Sequence, residues 1–227
     1  MKKLVIITYL LVSITYVKAQ NESQPASSST SSGIFGIRFM PVFSTFNFHN
    51  ADNGTVNGEV VMGYGFGAVL GVNFSNNVGL QGEIIYNYLS QKYRDMDLEK
   101  TVHLSYINVP LLLSLNTGVD KPVNLNVVFG PQIGLNVGSS VNTSGGNGVD
   151  TLNGVFAVKK GDLGFAFGAG LDFALGSATR LSLGYRGVVG LIDISDKSQS
   201  ITTDQYYILD RAHINTNAGY IGLTFLF

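Results

Sequence analysis

Five charged side chains fall on positions that an alternating pattern turns inward: Arg38, Glu83, Asp172, Arg180 and Arg186. A charge held away from water is costly unless it is paired, so the chemistry these residues offer is mutual neutralisation. Counted from the nearest tight turn, Arg38, Glu83, Asp172 and Arg186 sit at similar heights. That predicts Arg38 and Arg186 facing Glu83 and Asp172 in a salt-bridged plug, a structural network rather than a transport site. Other reactive types are sparse. Cys is absent, which removes disulfides, thiolate metal sites and a cysteine nucleophile. His49 and His213 stand alone in polar connections without ligand spacing, so neither metal nor cofactor is expected. The Gly-rich run Ser144-Gly145-Gly146-Asn147-Gly148 precedes no helical pattern and is no phosphate cradle. Lys92, Arg94, Asp95, Asp97, Glu99 and Lys100 mix signs over one short span. They read as a solvated surface, with contact to lipopolysaccharide headgroups or a partner as the alternative.

The elements that must carry these residues have a period of two from Ile34 onward, which favours strands over helices. Leu163, Phe165, Phe167, Ala169, Leu171, Phe173 and Leu175 share one face, against Asp162, Gly164, Ala166, Gly168, Gly170, Asp172 and Ala174 on the other. Comparable splits cover 34–46, 60–74, 77–91, 102–116, 123–135, 179–194 and 214–227, eight segments in all. The fourth changes phase: Val102, Leu104 and Tyr106 are apolar on even numbers, Ile107, Val109 and Leu111 on odd ones. A bulge near Tyr106 is expected to reconcile them. Connections alternate between long polar ones (47–59, 92–101, 138–161, 195–213) and tight turns (75–76, 117–121, 176–178). Long loops at one end, short turns at the other and an even strand number predict an all-β fold, an eight-stranded antiparallel up-and-down transmembrane β-barrel.

Composition agrees. Only 13% of the 227 residues are charged while 45% are hydrophobic, against roughly 25% charged in ordinary soluble domains. The face opposite the bulky apolar one is largely Gly, Ala, Asn and Ser, which suits a crowded narrow interior rather than a water-facing surface. Tyr64, Tyr86, Tyr88 and Tyr185 on the apolar face are placed to join interfacial aromatic girdles. Lys2 and Lys3 ahead of an apolar stretch, with Val17-Lys18-Ala19 before Gln20, read as a signal peptide over 1–19. Residues 20–33 read as a disordered Ser-rich linker, and 34–227 as the barrel domain. Loss of three Lys and no acid leaves 11 basic residues against 15 acidic ones, so nucleic acid is not an expected partner.

The runs Gly79-Leu80-Gln81-Gly82-Glu83-Ile84-Ile85-Tyr86 and Tyr106-Ile107-Asn108-Val109-Pro110-Leu111-Leu112-Leu113, with Phe129-Gly130-Pro131, Asp162-Leu163-Gly164-Phe165 and Gly168-Ala169-Gly170, resemble the PorT-like outer-membrane β-barrel proteins of Bacteroidetes. The resemblance covers roughly 33–227. It implies an outer-membrane barrel of a Gram-negative bacterium and, through the namesake, a link to secretion and gliding apparatus. The shared residues are barrel residues rather than partner-binding ones. Tyr220, Gly222, Phe225 and Phe227 look like the terminal-strand signal read by the barrel assembly machinery. His103-x-Ser105 resembles the His-x-Ser of outer-membrane lipid A deacylases, where Ser is the nucleophile, His its base and a later Glu the orienting group. Leu115, Asn116 and Thr117 stand where that Glu would fall. The expectation is therefore a non-enzymatic, monomeric barrel in contact with outer-membrane lipids and lipopolysaccharide. Its role is structural, or binding and assembly through long external loops, with a secretion or surface-protein partner. A narrow ligand or ion conduit and a lipid A modifying enzyme are the competing classes.

Overall fold

The computed structural model describes residues 32–45, 48–49, 55–56, 58–95, 98–144, 159–194 and 213–227. The segment 1–19 and most of the linker lie outside these, as do 145–158 and 195–212 of the two longest connections. Eight strands form one closed barrel: β1 Ser32–Thr45, β2 Glu59–Asn73, β3 Val78–Asp95, β4 Leu98–Asn116, β5 Val123–Ser144, β6 Gly161–Ala174, β7 Thr179–Gly190 and β8 Asn215–Leu226. Each pairs antiparallel with its sequence neighbour, and β1 pairs with β8 to close the ring. A two-residue ladder, Phe48–His49 with Thr55–Val56, stands in the connection after β1. Among the described residues no helix is long and apolar enough to cross a membrane; the crossing is made by strands, whose closure pairs every backbone group that a bilayer would otherwise leave unsatisfied.

The alternation behaves as a two-sided wall. On β6, Leu163, Phe165, Phe167 and Leu171 point outward and are exposed, while Gly164, Ala166, Gly168 and Gly170 are buried inside. The outward set on the other strands is equally bulky, including Ile37, Phe39, Met62, Phe66, Leu70, Leu111, Ile133 and Ile221. From Tyr64 on β2 to Phe74 just after it, the outward residues cover ten steps; at roughly 3.3 Å each, tilted about 40°, these span about 25 Å, the height of an outer-membrane apolar belt.

Two strand ends depart from the sequence reading, and one expected feature has a different effect. The connection expected over 92–101 is mostly strand, because β3 runs to Asp95 and β4 starts at Leu98. Likewise β5 continues to Ser144 rather than ending near 135. Both runs are mostly charged, polar or small in sequence, so no apolar alternation marks them as strand. The bulge expected near Tyr106 is present, but its effect differs from the expectation. Register slips between Ser105 and Tyr106 relative to Gly138 and Asn136, leaving Val137 as the extra residue on β5. It does not swap the faces of β4: Val102, Leu104 and Tyr106 stay inside with Asn108 and Leu112, and Val109 and Leu111 stay outside. The two apolar phases are thus two different surfaces, one in the lumen and one on lipid.

Candidate functional site

The lumen is the site to which the inward residues converge, and it is layered. Midway, Glu83 on β3 is 2% exposed and accepts from two guanidiniums, Arg38 Nη1 at 2.6 Å and Arg186 Nη2 at 2.8 Å, with Arg186 Nη1 at 3.2 Å from the second oxygen. The amide of Gln81 also donates to Glu83. Arg38 lies with its guanidinium carbon 4.0 Å from the Tyr220 ring centroid, a cation–π contact. One carboxylate therefore ties β1, β3 and β7 together across the ring, with β8 joined through Tyr220.

Arg38, Arg186 and Glu83 meet as expected, but the expected pairing with Asp172 is corrected. Asp172 accepts at Oδ2 from Asn124 Nδ2 at 3.1 Å and Asn126 Nδ2 at 2.6 Å. These amides stand on the neighbouring strand, Asn124 directly opposite Asp172 in register. Strand tilt makes equal residue counts unequal heights, so the adjacent amides reach Asp172 before the arginines do. Arg180 is also apart from the Glu83 group. It donates to the carbonyls of Val119, Lys121 and Asp172, at 2.5, 2.6 and 3.4 Å, and so fastens the tight turn over 117–122 to the lumen wall.

Toward the long loops the lumen is apolar. Met40, Val42, Ile85, Leu89, Val102, Leu104 and Tyr106 pack with Ile194, Ile214, Ala218 and Tyr220 into one buried cluster. Sequence reasoning missed this layer because Val102, Leu104 and Tyr106 were assigned by phase to the lipid face. It also missed the inward half of Tyr220. Within the terminal motif, Tyr220 and Gly222 are buried inside and Phe225 and Phe227 point out, a split that the period of two already contained. The amide lining of Asn73, Asn108, Asn124, Asn126 and Gln132 was visible as the polar side of each strand but carried no signal of its own.

On the outer wall, Tyr64, Tyr88 and His103 stack in series, with centroids 5.3 and 5.2 Å apart. His103 Nδ1 lies 2.9 Å from Ser90 Oγ, and Ser105 Oγ accepts from Tyr86 at 3.1 Å. His103 and Ser105 thus engage different partners. His213 sits at the foot of β8, outside the strand, and the His49 backbone is in the small ladder. Among the described residues no group of three or more His, Cys, Asp or Glu is placed to hold a metal ion.

A family model described as an outer membrane protein beta-barrel domain matches residues 18–196. The chain belongs to that family. This outer-membrane barrel therefore resides in the outer membrane of a Gram-negative bacterium, which accounts for the lipid-facing band and the aromatic stack. Solved structures repeat the fold. The outer membrane protein AlkL, solved in lipid bilayers, is 13% identical with a TM-score of 0.50, over 92% of this chain and 97% of that one. Neisserial surface protein A is 12% identical with a TM-score of 0.45, over 85% and 97%. The attachment invasion locus protein Ail of Yersinia pestis is 13% identical with a TM-score of 0.41, over 87% and 99%. Comparison with curated proteins gives no match.

The glycines of the outer-membrane barrel that look conspicuous in sequence have a packing reason. The Tyr220 ring lies over Gly170 and Gly184, and a Cβ on Gly170 would stand 2.1 Å from Tyr220 Oη, with Leu183 O and Tyr220 Cζ at 3.0 and 3.1 Å. Gly170→Ala is expected to destabilise the barrel by about 1–3 kcal/mol. Tyr220→Phe in the same chain removes the closest clashing atom and should recover part of the loss, as read by urea unfolding in detergent micelles or vesicles.

Proposed function

We propose that this outer-membrane barrel is a non-catalytic scaffold that works by binding or assembly through its long external connections, and that it stays monomeric with its lumen closed. The observation that carries this reading is the double blockage of the lumen: the Arg38–Glu83–Arg186 cluster at mid-height and the apolar cluster around Leu104 and Tyr106 above it. An interior of eight strands is wide enough only for side chains or one small ligand, and here side chains occupy it. Binding residues tend to sit on loops held by a rigid scaffold. Within the family we place the chain near the PorT-like barrels of Bacteroidetes on the runs around Gly79–Tyr86 and Tyr106–Leu113. Those runs are wall residues, so a secretion or surface-protein partner would be recognised elsewhere, by the loops. Against a lipid A modifying activity stands the separate bonding of His103 and Ser105.

The test is a pull-down from native outer membranes with a tag inserted within 145–158, compared with a variant lacking that segment. A stoichiometric protein retained by the tagged barrel and lost with the deletion is the expected result. Retention unaffected by the deletion, or lipid A that has lost an acyl chain in cells expressing the barrel, would contradict the proposal.

A further inference from the structure

On the outer wall, β8 presents Asn217 and Gly219 where the strands beside it present large apolar side chains. Gly219 stands opposite Tyr185 of β7. On its other side the β1–β8 ladder breaks between the Phe39–Ile221 and Val42–Ala218 pairs, because Pro41 has no N–H to give. Neither conformation nor crowding calls for glycine here: among the described glycines only Gly118 has a positive φ, and a Cβ on Gly219 would have a single neighbour, the Gly184 carbonyl oxygen at 4.0 Å. The space left open is a notch rimmed by the exposed side chains of Phe39, Phe43, Tyr185 and Ile221. Gly187, outward on the neighbouring strand, has no such space, since a Cβ there would lie 2.6 Å from the Phe167 ring.

Asn217 lies two residues from Gly219 toward the long connection, exposed on the same wall. Its Oδ1 accepts from the Tyr185 hydroxyl, and the Tyr185 ring also packs on Phe167, with centroids 6.4 Å apart. Both contacts hold the ring toward the loop end and off Gly219. Asn217 Nδ2 donates to no acceptor among the described residues. On a wall that faces lipid, two N–H groups without a partner are costly. The loop end of the notch therefore offers hydrogen-bond donors, and the remainder offers apolar surface.

We propose that this notch binds one acyl chain of an outer-leaflet lipid, and that the carbonyl oxygen of the acyl linkage accepts from Asn217 Nδ2. The long loops of such barrels are extracellular, so Asn217 is on the headgroup side of Gly219. A lipid with its linkage at the amide lays its chain over the glycine toward the middle of the membrane, polar atoms against polar and hydrocarbon against hydrocarbon. The linkage carbonyl is common to phospholipids and to the lipid A of lipopolysaccharide, and separate titrations distinguish the two sources.

The experiment titrates the refolded full-length barrel in detergent micelles with a diacyl phosphatidylethanolamine and, separately, with lipid A, and counts bound lipid by native mass spectrometry. One saturable lipid per barrel is expected, the tighter of the two being the source. Gly219→Leu, which fills the notch, should weaken binding at least tenfold. Gly82→Leu should leave it within about twofold, because Gly82 is equally open on the outer wall but lies between Leu70 and Leu111 with no amide beside it. Asn217→Val should weaken the diacyl lipid about fivefold, the net worth of one hydrogen bond. A dialkyl ether analogue, which has no linkage carbonyl, should bind the parent chain about as weakly and should be indifferent to Asn217→Val. Heat-modifiable mobility confirms that each variant has folded. Unchanged binding in folded Gly219→Leu, an equal loss in Gly82→Leu, or equal affinity for diacyl and ether lipids would overturn the proposal. So would a barrel dimer that Gly219→Leu dissolves, which would give the notch to a second copy of the chain.

Discussion

Glu83→Gln is expected to remove about 3–5 kcal/mol of unfolding free energy, the cost of breaking a buried ion pair by deleting one partner. The size follows from geometry: a single carboxylate neutralises Arg38 and Arg186 at 2.6 and 2.8 Å, inside a wall that faces lipid. An amide in its place leaves two guanidiniums side by side with no anion. Arg186→Met should cost less, because Arg38 keeps Glu83 as its own partner. In a double-mutant cycle the two changes are expected to couple strongly, since once Glu83 is gone the removal of Arg186 relieves repulsion. Replacing all three by Met is expected to recover much of the loss, as buried ion pairs commonly match apolar side chains of similar volume in stability. Urea titration of refolding in vesicles measures each difference. Glu83→Gln within 1 kcal/mol of the parent chain would remove the triad as the tie between strands.

Deletion of Phe227 is expected to lower folded, heat-modifiable barrel in the outer membrane at least tenfold. Phe227 is 80% exposed on the outer wall, and its backbone makes both hydrogen bonds to Gly33 that finish the seam between the first and last strands, at 2.7 and 3.0 Å. Phe35 and Phe225 stack one step further in, with centroids 6.4 Å apart. Without Phe227 the seam loses this final hydrogen-bonded pair and the aromatic beside it on the outer wall. Phe227→Leu separates two roles. It keeps lipid contact and the seam, so refolding into vesicles should be near normal. If the barrel assembly machinery reads the aromatic, the yield in cells should still fall. Normal cellular yield of the deletion variant would contradict both accounts.

Much of the barrel could be read from the period of two. Leu163 to Leu175 and their Gly and Ala counterparts assign inside and outside without coordinates, because each face has one chemistry along its whole length. The reading failed where that contrast fades. The run from Lys92 to Thr101 is mostly charged or polar on both of its alternating sets, so its strand character leaves no apolar period in the sequence. Val102, Leu104 and Tyr106 are apolar on the lumen side, and apolarity alone does not distinguish a plugged interior from a lipid face. The site was legible as a set of residues but not as a set of contacts. Arg38, Glu83 and Arg186 do meet, whereas for Asp172 the count from the turn points to the arginines and the structure gives it the amides of Asn124 and Asn126. Register and tilt decide contacts across a lumen, and neither is written in any one strand. Tyr220 illustrates the same limit: its place in the terminal motif is a local pattern, while its contact with Arg38 depends on closure between β1 and β8.

The closed lumen is the central claim, and planar-bilayer recording of the purified, refolded full-length barrel tests it most directly. The expected trace shows no steady ohmic channel for the parent protein, with brief openings appearing in Glu83→Gln as the mid-lumen tie is cut. A stable, large single-channel conductance in the parent protein would contradict the account.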